Sequence, residues 1–385
     1  MQLNASYKEI KGKKTTDIYF IRAEQILKSI NKNPEVTAEI WTNNLPEKYE
    51  WGIFSGLEEA LNLFKNLNVN IWSLPEGSVF YPGDPVFTIK GKYLNFAAFE
   101  TPLLGFLCQA SGISTKAARC KISAGDKKVL SFGARRMHPS LTPIIDRYAY
   151  LGGLDGVSTI ISASRLNIKP QGTIPHSVIL IIGDTVKAAK AYDNTISEEV
   201  PRIILIDTFS DEKTESLRVA KALKKKLNAV RIDTPNSRRG NFEEIAHELR
   251  KELNLNNFQN VGIFASGGLN EYDIINLNKW VDGYGIGTSI SSAPTINFSM
   301  DIVEIEGKPI TKKGKIAGMK KVFRCNRCGL RKVFFNKDVI QNCECGNPMT
   351  PITKKLIENG KLIMESETIE EIRKRVLTDI KYLNV

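Results

Sequence analysis

The chain has 385 residues, with 54 Lys and Arg against 42 Asp and Glu, and a formal net charge of +12. Hydrophobic residues make up 42% and charged residues 25%, which is ordinary globular usage and excludes a disordered chain, a collagen-like repeat and a short disulfide scaffold. The length predicts two or three domains. The basic balance leaves three classes of partner open: nucleic acid, an anionic membrane and small anionic ligands.

The first third of the chain is predicted to form helices followed by short strands. Apolar residues at helical spacing predict helices over 16–31 and 55–68, the second with Ser55 as its N-cap. Between 69 and 94 the period changes to short strands broken by Pro and Gly turns. A long apolar helix over 96–118 follows this β-rich segment.

From about residue 200 onward, buried strands alternate with amphipathic helices. Repeated βα units indicate parallel strands joined by right-handed crossovers. The units between about 129 and 289 therefore predict a complete or incomplete β/α barrel. The predicted strands are 202–207, 229–233, 261–265 and 281–287, and the predicted helices are 211–228, 241–253 and 271–280.

Chemically unusual residues end these strands, at the edge where β/α barrels place their active sites. One strand ends in Asp207, and the next ends in Arg231-Ile232-Asp233, whose spacing puts the cation and the carboxylate on one side. The last two end in Ser266-Gly267-Gly268 and Gly285-Ile286-Gly287-Thr288. Because glycine allows close backbone approach, these two turns predict a phosphate site, with tight turns that bind nothing as the alternative.

Paired arginines also follow a short apolar strand at 129–130. Arg135 and Arg136 suggest anion recognition, because a guanidinium matches a carboxylate or phosphate bidentately. Phe132 is suited to stacking on a flat ring, although a solvated surface turn is the alternative for this segment. A Gly-rich turn over 152–159 adds Asp155 and Ser158 as candidates for ligand binding.

The sequence has three histidines. His247 falls off the apolar face of its predicted helix, which indicates a solvated side chain. His138 follows the paired arginines and has a structural alternative. His176 stands at a predicted helix start and is the strongest candidate for chemistry, although a single histidine is more often structural.

Four cysteines form two close pairs near the C-terminus. Cys325-x-x-Cys328 and Cys343-x-Cys345 flank a predicted strand at 333–335, and a glycine follows each pair, where knuckle turns often need positive φ. Four converging thiolates suit a closed, structural zinc site. Two disulfides are the alternative, disfavoured by a reducing compartment.

Most of the net charge lies beside these cysteines. Residues 307–337 contain eleven Lys and Arg and no Asp or Glu. A nucleic-acid-binding zinc ribbon is therefore an alternative, but the aromatic and basic residues are not interleaved in the way that stacks bases. The longest apolar run near the middle of the chain, Val178 to Ile182, is too short to cross a bilayer, and the N-terminus lacks the apolar core of a secretory signal. We therefore expect a cytoplasmic protein that does not act on a membrane.

Several of these segments together resemble the nicotinate phosphoribosyltransferase family, within the type II phosphoribosyltransferases. The resemblance covers nearly the whole chain, and the C-terminal zinc knuckle is similar to that of archaeal-type members. The segments that carry it are Thr16-Asp17-Ile18-Tyr19, Glu100-Thr101-Pro102-Leu103-Leu104, Phe132-Gly133-Ala134-Arg135-Arg136-Met137-His138, Gly172-Thr173-Ile174-Pro175-His176-Ser177, Asp207-Thr208, Arg231-Ile232-Asp233, and the Ser-Gly-Gly and Gly-x-Gly-Thr turns.

The resemblance implies an α/β fold: an irregular β/α barrel over 116–290, an N-terminal α/β sandwich domain over 1–115 and a small zinc-knuckle domain over 321–352. Segments at about 291–320 and 353–385 would complete the sandwich. The implied reaction joins nicotinate and phosphoribosyl pyrophosphate into nicotinate mononucleotide and pyrophosphate, with Mg²⁺ and with ATP hydrolysis, in NAD biosynthesis. Family members are at least dimers that share active sites between subunits.

The resemblance also implies roles for single residues. Phe132 would stack on one face of the pyridine ring, while Tyr19 of the partner subunit, beside Asp17, would cover the other. Arg135 would hold the nicotinate carboxylate, and His176 matches the family's phosphorylated histidine. Arg231 and Asp233 would contact the ribose side, with Asp207 nearby, through Mg²⁺. The 5′-phosphate would lie against Gly267, Gly268, Gly285, Gly287 and Thr288, and the remaining candidates for substrate binding are Arg136, His138, Asp155, Ser158 and Ser266.

Three alternatives stay open. Quinolinate as the substrate would need cations for two carboxylates and no ATP-dependent histidine. Nicotinamide would need an acid to accept its amide, which Asp155 could supply. A nucleic-acid-binding zinc ribbon protein with an inactive barrel is the third, and the glycines of the predicted phosphate site argue against it.

Overall fold

A computed structural model describes residues 3–235, 237, 240–335, 341–365 and 367–385. Lys337, the last cation of the basic segment, lies outside the described residues. No helix in this part of the chain is long and apolar enough to cross a membrane. The helices are α1 (Tyr7–Lys11), α2 (Ile18–Ser29), α3 (Leu57–Phe64), α4 (Glu100–Ala124), α5 (Thr142–Leu151), α6 (Ile160–Arg165), α7 (His176–Ile182), α8 (Thr185–Thr195), α9 (Glu212–Leu223), α10 (Phe242–Leu255), α11 (Glu271–Leu277), α12 (Thr288–Ser291) and α13 (Ile369–Asp379).

The strands divide into a group before residue 93, a group between 128 and 286 and a group after 298. They are β1 (Glu35–Trp41), β2 (Gly52–Ile53), β3 (Val69–Ser73), β4 (Val79–Phe80), β5 (Phe87–Lys92), β6 (Lys128–Ser131), β7 (Gly156–Val157), β8 (Ile203–Leu205), β9 (Ala229–Ile232), β10 (Gly262–Ser266), β11 (Gly283–Ile286), β12 (Ser299–Ile305), β13 (Lys308–Pro309), β14 (Lys320–Cys325), β15 (Arg331–Phe335), β16 (Gln341–Asn342), β17 (Pro348–Pro351), β18 (Lys354–Glu358) and β19 (Lys361–Leu362).

The chain divides into two compact units. The first contains residues 1–115 and 294–379, and the second contains 116–293 and 380–385. Helix α4 contributes residues to both. The α/β fold class predicted from the sequence is confirmed, because one unit carries an antiparallel sheet with a cysteine cluster and the other carries a parallel sheet.

The first unit is built on an antiparallel sheet of seven strands. Their order is β13-β12-β1-β5-β3-β18-β19, so strands from both ends of the chain alternate in one sheet. The interior strand β1 has five consecutive buried residues, as expected for a strand covered on both faces. Apolar side chains of α3, including Leu63 and Phe64, join the strands in a single core.

The second unit is a β/α barrel that is open at one place. All six strands are parallel, in the order β7-β6-β11-β10-β9-β8. The first strand, β6, pairs with the last, β11, as closure of a barrel requires, while β7 and β8 are the two free edges. Val230, Ile232 and Ile263 are fully buried, which fits the apolar runs that predicted these strands.

Two predictions at helix starts are wrong. Ser55 is not the N-cap of α3: Gly56 takes that position with φ 94°, while the Ser55 hydroxyl donates to Ser114 Oγ at 2.9 Å. Because its hydroxyl is bonded to Ser114 of α4, the Ser55 side chain does not cap α3. The helix expected from residue 96 begins only at Glu100, because 97–99 form a separate 3₁₀ turn.

Candidate active site

The C-terminal ends of β8, β9 and β10 bring the predicted strand-end residues together. Leu205 lies beside Arg231, and Ile232 lies beside Ala265, in the parallel register. The residues that follow, Asp207 and Asp233, therefore meet, and the Asp233 amide donates to Asp207 Oδ2 at 3.2 Å. The convergence predicted from the strand pattern is present at this edge of the sheet.

Arg231 is the most connected residue of this cluster. Its Nε donates to Ser266 Oγ at 2.8 Å, its Nη1 donates to Thr173 Oγ1 at 2.7 Å, and its Nη2 lies 3.2 Å from Asp233 Oδ2. The side chain is 14% exposed, and burial lowers the pKa of this guanidinium, with Asp233 and Asp207 acting in the opposite direction. These three contacts fix the orientation of the Arg231 guanidinium at the mouth of the barrel.

The two carboxylates have different environments. Burial raises the pKa of Asp207, although His176 counteracts this effect. Burial also acts on Asp233, but hydrogen bonding toward His176 and the charge of Arg231 outweigh it and lower the pKa of that carboxyl. Asp207 Oδ1 is buried and has no hydrogen-bond partner in the described part of the chain. Asp233 is therefore the ionised carboxylate of the pair, and Asp207 Oδ1 is an acceptor that no described residue uses.

His176 begins α7 and points at both carboxylates. Its Nε2 lies 3.8 Å from Asp207 Oδ2 and 3.8 Å from Asp233 Oδ2, while Nδ1 lies 3.0 Å from Thr208 Oγ1. The interaction with Asp233 raises the pKa of the imidazole, although burial opposes it. With 37% of its side chain exposed, the ring can also reach a ligand.

Phe132 lies beside Arg231 and over the backbone of β11. The Arg231 guanidinium carbon is 5.1 Å from the centre of the ring, within the range of a cation–π contact. A Cβ added at Gly285 would lie 2.4 Å from two ring carbons of Phe132. Glycine at position 285 therefore leaves the room that the Phe132 ring needs.

The two glycine-rich turns differ in how much space surrounds them. Gly267 and Gly268 have φ of 99° and 74°, and nothing lies within 4 Å of a Cβ built at Gly268. Gly287 precedes α12, and Thr288 is the exposed first residue of that short helix. The open backbone at Gly268 is the surface of this edge that suits a phosphate group best.

The segment of paired arginines lies in two 3₁₀ turns. Arg135 and Arg136 are exposed and have no ion-pair partner in the described part of the chain. Arg135 is close enough to lower the pKa of Arg231, after the larger effect of burial. His138 caps the second turn, where Nδ1 accepts from the Ser140 amide at 3.2 Å, so it has a structural partner.

Asp155 and Ser158 flank β7. Asp155 Oδ2 accepts from Lys121 Nζ at 3.0 Å and from the Val129 amide at 2.9 Å. These bonds join α4 to the start of β6 and give the carboxylate a structural role. Ser158 is half-buried after β7. Ligand binding by either residue stays a prediction.

Asp17 and Tyr19 belong to the first unit. Asp17 precedes α2 and its Oδ2 accepts from Thr101 Oγ1 at 2.8 Å, which ties α2 to the first turn of α4. The Tyr19 side chain is exposed, with 56% of its surface accessible. An aromatic ring that is held on a helix start and left uncovered is available to another molecule.

Two residues of the cluster were quoted in the sequence motifs without being assigned a role. Thr173 accepts a hydrogen bond from Arg231, and Thr208 contacts His176. Each stands directly beside a glycine or an acid that the motifs did single out, at Gly172 and Asp207. The available signal was a hydroxyl residue next to a glycine or an acid of a candidate motif.

The four cysteines of the knuckle converge on one point. Cys325 Sγ is 3.5 Å from Cys345 Sγ, Cys328 Sγ is 3.4 Å from Cys343 Sγ, and all four sulfurs lie within 4.8 Å of one another. None is in a disulfide. Tetrahedral thiolates on one ion are separated by about 3.8 Å, so the cluster could hold a metal ion.

Family models and a solved structure match most of the chain. The model for the N-terminal domain of quinolinate phosphoribosyl transferase matches residues 17–111, and that for its C-terminal domain matches 113–301. A crystal structure of nicotinate-nucleotide pyrophosphorylase from Pyrococcus furiosus is 46% identical, covers 100% of this chain and 99% of its own, and gives a TM-score of 0.97.

Two more distant matches are named as nicotinate phosphoribosyltransferases. A nicotinate phosphoribosyltransferase of Mycobacterium tuberculosis is 27% identical over 342 residues, which are 78% of this chain and 75% of that protein. The crystal structure of human nicotinic acid phosphoribosyltransferase is 19% identical, covers 96% of this chain and 94% of its own, and gives a TM-score of 0.76, which indicates a shared fold.

Proposed function

Since the chain belongs to the nicotinate phosphoribosyltransferase family, we propose that it transfers a phosphoribosyl group from phosphoribosyl pyrophosphate to nicotinate. The products are nicotinate mononucleotide and pyrophosphate. One observation carries the proposal: Arg231, Asp233, Asp207 and Phe132 meet at the C-terminal edge of the barrel sheet. They offer charges for a ribose phosphate beside a flat face for a pyridine ring.

The chemistry of the transfer fits these side chains. C1 of the ribose acquires positive charge as pyrophosphate departs, so catalysis depends on positioning and charge stabilisation. The low pKa of Asp233 keeps that carboxylate ionised, and it can stabilise the developing cation. Arg231 holds Asp233 in place and contacts Phe132, so the same residue aligns the ribose end and the ring end of the site.

The substrates fit three further features. The pyridine ring stacks on Phe132, and the exposed Arg135 pairs with the nicotinate carboxylate. The 5′-phosphate lies at the turn of Gly267 and Gly268, against the open backbone of Gly268. Tyr19 of the partner subunit covers the second face of the ring, which requires at least a dimer.

Mg²⁺ is part of this proposal. Asp207 Oδ1 is buried without a hydrogen-bond partner in the described part of the chain, and an unused carboxylate oxygen suits a hard cation. Asp207 and Asp233 are the residues that would hold the ion. When bound, Mg²⁺ supplies positive charge that stabilises the departing pyrophosphate.

ATP coupling is assigned to His176. Thr208 holds Nδ1, which leaves Nε2 as the nitrogen that takes up the phosphoryl group. The four knuckle cysteines, in turn, are proposed to bind structural zinc, the ion that favours four thiolates in a closed site. We place the reaction in the cytoplasm, within NAD biosynthesis.

The experiment offers purified protein phosphoribosyl pyrophosphate and Mg²⁺ with nicotinate, quinolinate or nicotinamide, each with and without ATP. We expect nicotinate mononucleotide from nicotinate, formed faster with ATP. Release of CO₂ with the same product from quinolinate would favour the decarboxylating alternative. No product from nicotinate under any condition would overturn the proposal.

A pair of histidine variants tests the ATP assignment. His176→Ala is expected to lose both the stimulation by ATP and the acid-labile phosphate. His247→Ala is the matched control, because His247 is exposed and stacks on Trp280 with ring centres 4.0 Å apart. Equal stimulation in both variants would remove His176 from the ATP step.

A further inference from the structure

A cavity lies in the first unit, and none of the candidate active-site residues lines it, although Asp17 and Tyr19 lie near its Glu100. Its volume is about 370 Å³. Strands β1 and β12, which pair through Ala38 and Ile302, supply much of its apolar wall, and Phe96 and Ile310 extend it. A cavity with apolar walls and a few polar groups is the usual form of a small-molecule site.

Two polar groups in this cavity lack partners. The carboxyl group of Glu100, the first residue of α4, has no hydrogen bond or ion pair with any described residue, and Thr311 Oγ1 is buried without a hydrogen-bond partner. Burial raises the pKa of the Glu100 carboxyl to about 7, an effect to which Asp301 adds and which Lys312 opposes. The carboxyl therefore lies in surroundings that supply it with no counter-ion of its own.

The one lysine among the lining residues is already engaged. Lys312 Nζ is 2.6 Å from Asp301 Oδ1, and Lys315 Nζ is 3.2 Å from Asp301 Oδ2. Trp41 Nε1 also donates to this carboxylate, at 3.1 Å. Asp301 therefore has two lysines and an indole N–H as partners, whereas the Glu100 carboxyl has no ion-pair partner among the described residues.

We propose that this cavity binds a small organic cation, a protonated amine on a compact apolar body, with Glu100 as its counter-ion. The ammonium group donates to the Glu100 carboxylate and to Thr311 Oγ1. The apolar body lies against the wall formed by β1 and β12. Each unpartnered polar group of the cavity then has a partner, and the apolar wall is covered.

Benzylamine, benzyl alcohol and benzoate test the charge and the shape separately. They are titrated calorimetrically into the full chain at pH 8. We expect benzylamine to bind at least about tenfold more tightly than benzyl alcohol, because a charge-assisted hydrogen bond replaces a neutral one. Benzoate should not bind. Equal affinity for all three, or no binding of benzylamine, would overturn the proposal.

Variants assign the effect to named groups. Glu100→Gln should lose the preference for the amine while still binding benzyl alcohol, which reports an intact cavity. Glu243→Gln is the matched control, an exposed acid in the first turn of α10, and should keep the preference. If Glu100→Gln does not fold, Thr311→Val serves instead and should weaken benzylamine binding several-fold; unchanged selectivity in the folded variant contradicts the proposal.

The pH dependence supplies an independent readout. The other titratable groups that face Glu100 are Asp17, Tyr19, Tyr93, Asp301 and Lys312. Because benzylamine stays protonated while a carboxyl with a pKa near 7 ionises, its affinity should rise roughly tenfold from pH 6 to pH 8. Glu100→Gln should abolish this rise, and a rise that persists in the variant would show that another group binds the amine.

Discussion

At the level of single residues, Arg231 connects the two ends of the candidate active site. Its guanidinium bonds Ser266 and Thr173, pairs with Asp233 and lies over Phe132. A planar fork with five donors can make these contacts together, whereas a lysine cannot. The orientation of the ring-stacking residue and that of the ribose-side carboxylate are therefore set by the same cation.

The protonation of His176 should depend on Asp233. Asp233→Asn removes the largest effect that raises the pKa of His176 and leaves burial, which lowers it, opposed by the charge of Asp207. We expect the imidazole to titrate at lower pH in the variant, so that at pH 7 less of it is protonated. Titration of the histidine ring signals by NMR measures this, with His138 and His247 as internal references. An unchanged His176 titration would contradict the geometry.

Gly285 should matter because of Phe132. In Gly285→Ala the new methyl group would meet the ring at 2.4 Å, so the ring must move. A displaced stacking surface should lower kcat/KM for nicotinate by about tenfold or more. Gly105→Ala is the matched control, since nothing lies within 4 Å of a Cβ built there. Steady-state kinetics that show no difference between the two variants would count against stacking on Phe132.

At the level of elements, the pattern of strands and helices explains what could be predicted. Apolar runs and βα alternation indicated the parallel sheet, and the parallel direction alone placed Asp207, Asp233 and Ser266 at one edge. The contacts across that edge were not predictable, because they depend on side-chain rotation: Thr173 reaching Arg231, and Thr208 reaching His176. The spacing of residues in the sequence indicates the succession of strands, but it gives no information on the distances between these side chains.

The knuckle was predictable in more detail, since its geometry is set by local turns. The glycines after each cysteine pair, Gly329 and Gly346, have φ of 74° and 80°, as the sequence led us to expect. The predicted strand at 333–335 lies within β15. By contrast, the burial of Glu100 could not be read from the sequence, because strands from both ends of the chain form the walls around it.

Removing one knuckle cysteine should release the metal. Cys345→Ser breaks a four-thiolate set, and because metal binding is coupled to folding of such small elements, we expect loss of bound zinc from about one ion per chain and a lower unfolding temperature. Cys108→Ser is the control, since Cys108 is half-buried outside the cluster. Elemental analysis and thermal unfolding measure both effects, and zinc retained in Cys345→Ser would show that the cluster is not its site.

At the level of the whole molecule, the net charge is less concentrated than the sequence suggests. Many cations of the basic segment are paired with acids from other parts of the first unit. Lys320 lies 2.7 Å from Glu39, and Arg324 lies 3.2 Å from Asp379. The segment therefore contributes to cohesion of the first unit, whereas Arg135 and Arg136, in the second unit, remain exposed.

The division of the predicted site residues between two units leads to a test of subunit sharing. Tyr19 belongs to the first unit and Arg231 to the second. If Tyr19 completes the site of a partner subunit, mixing inactive Tyr19→Ala and Arg231→Ala proteins and allowing subunits to exchange should restore activity. In a dimer, half of the molecules would be mixed and each would have one intact site, so about a quarter of the normal activity should return.

The matched control mixes Arg231→Ala with Asp233→Ala. Both changes lie in the second unit, so every site in a mixed dimer carries one of them and no activity should return, whether or not sites are shared. Restoration in the first mixture alone requires that residues of the two units come from different chains. If neither mixture recovers activity although native mass spectrometry shows mixed oligomers, each site is built from a single chain, and Tyr19 does not act across subunits.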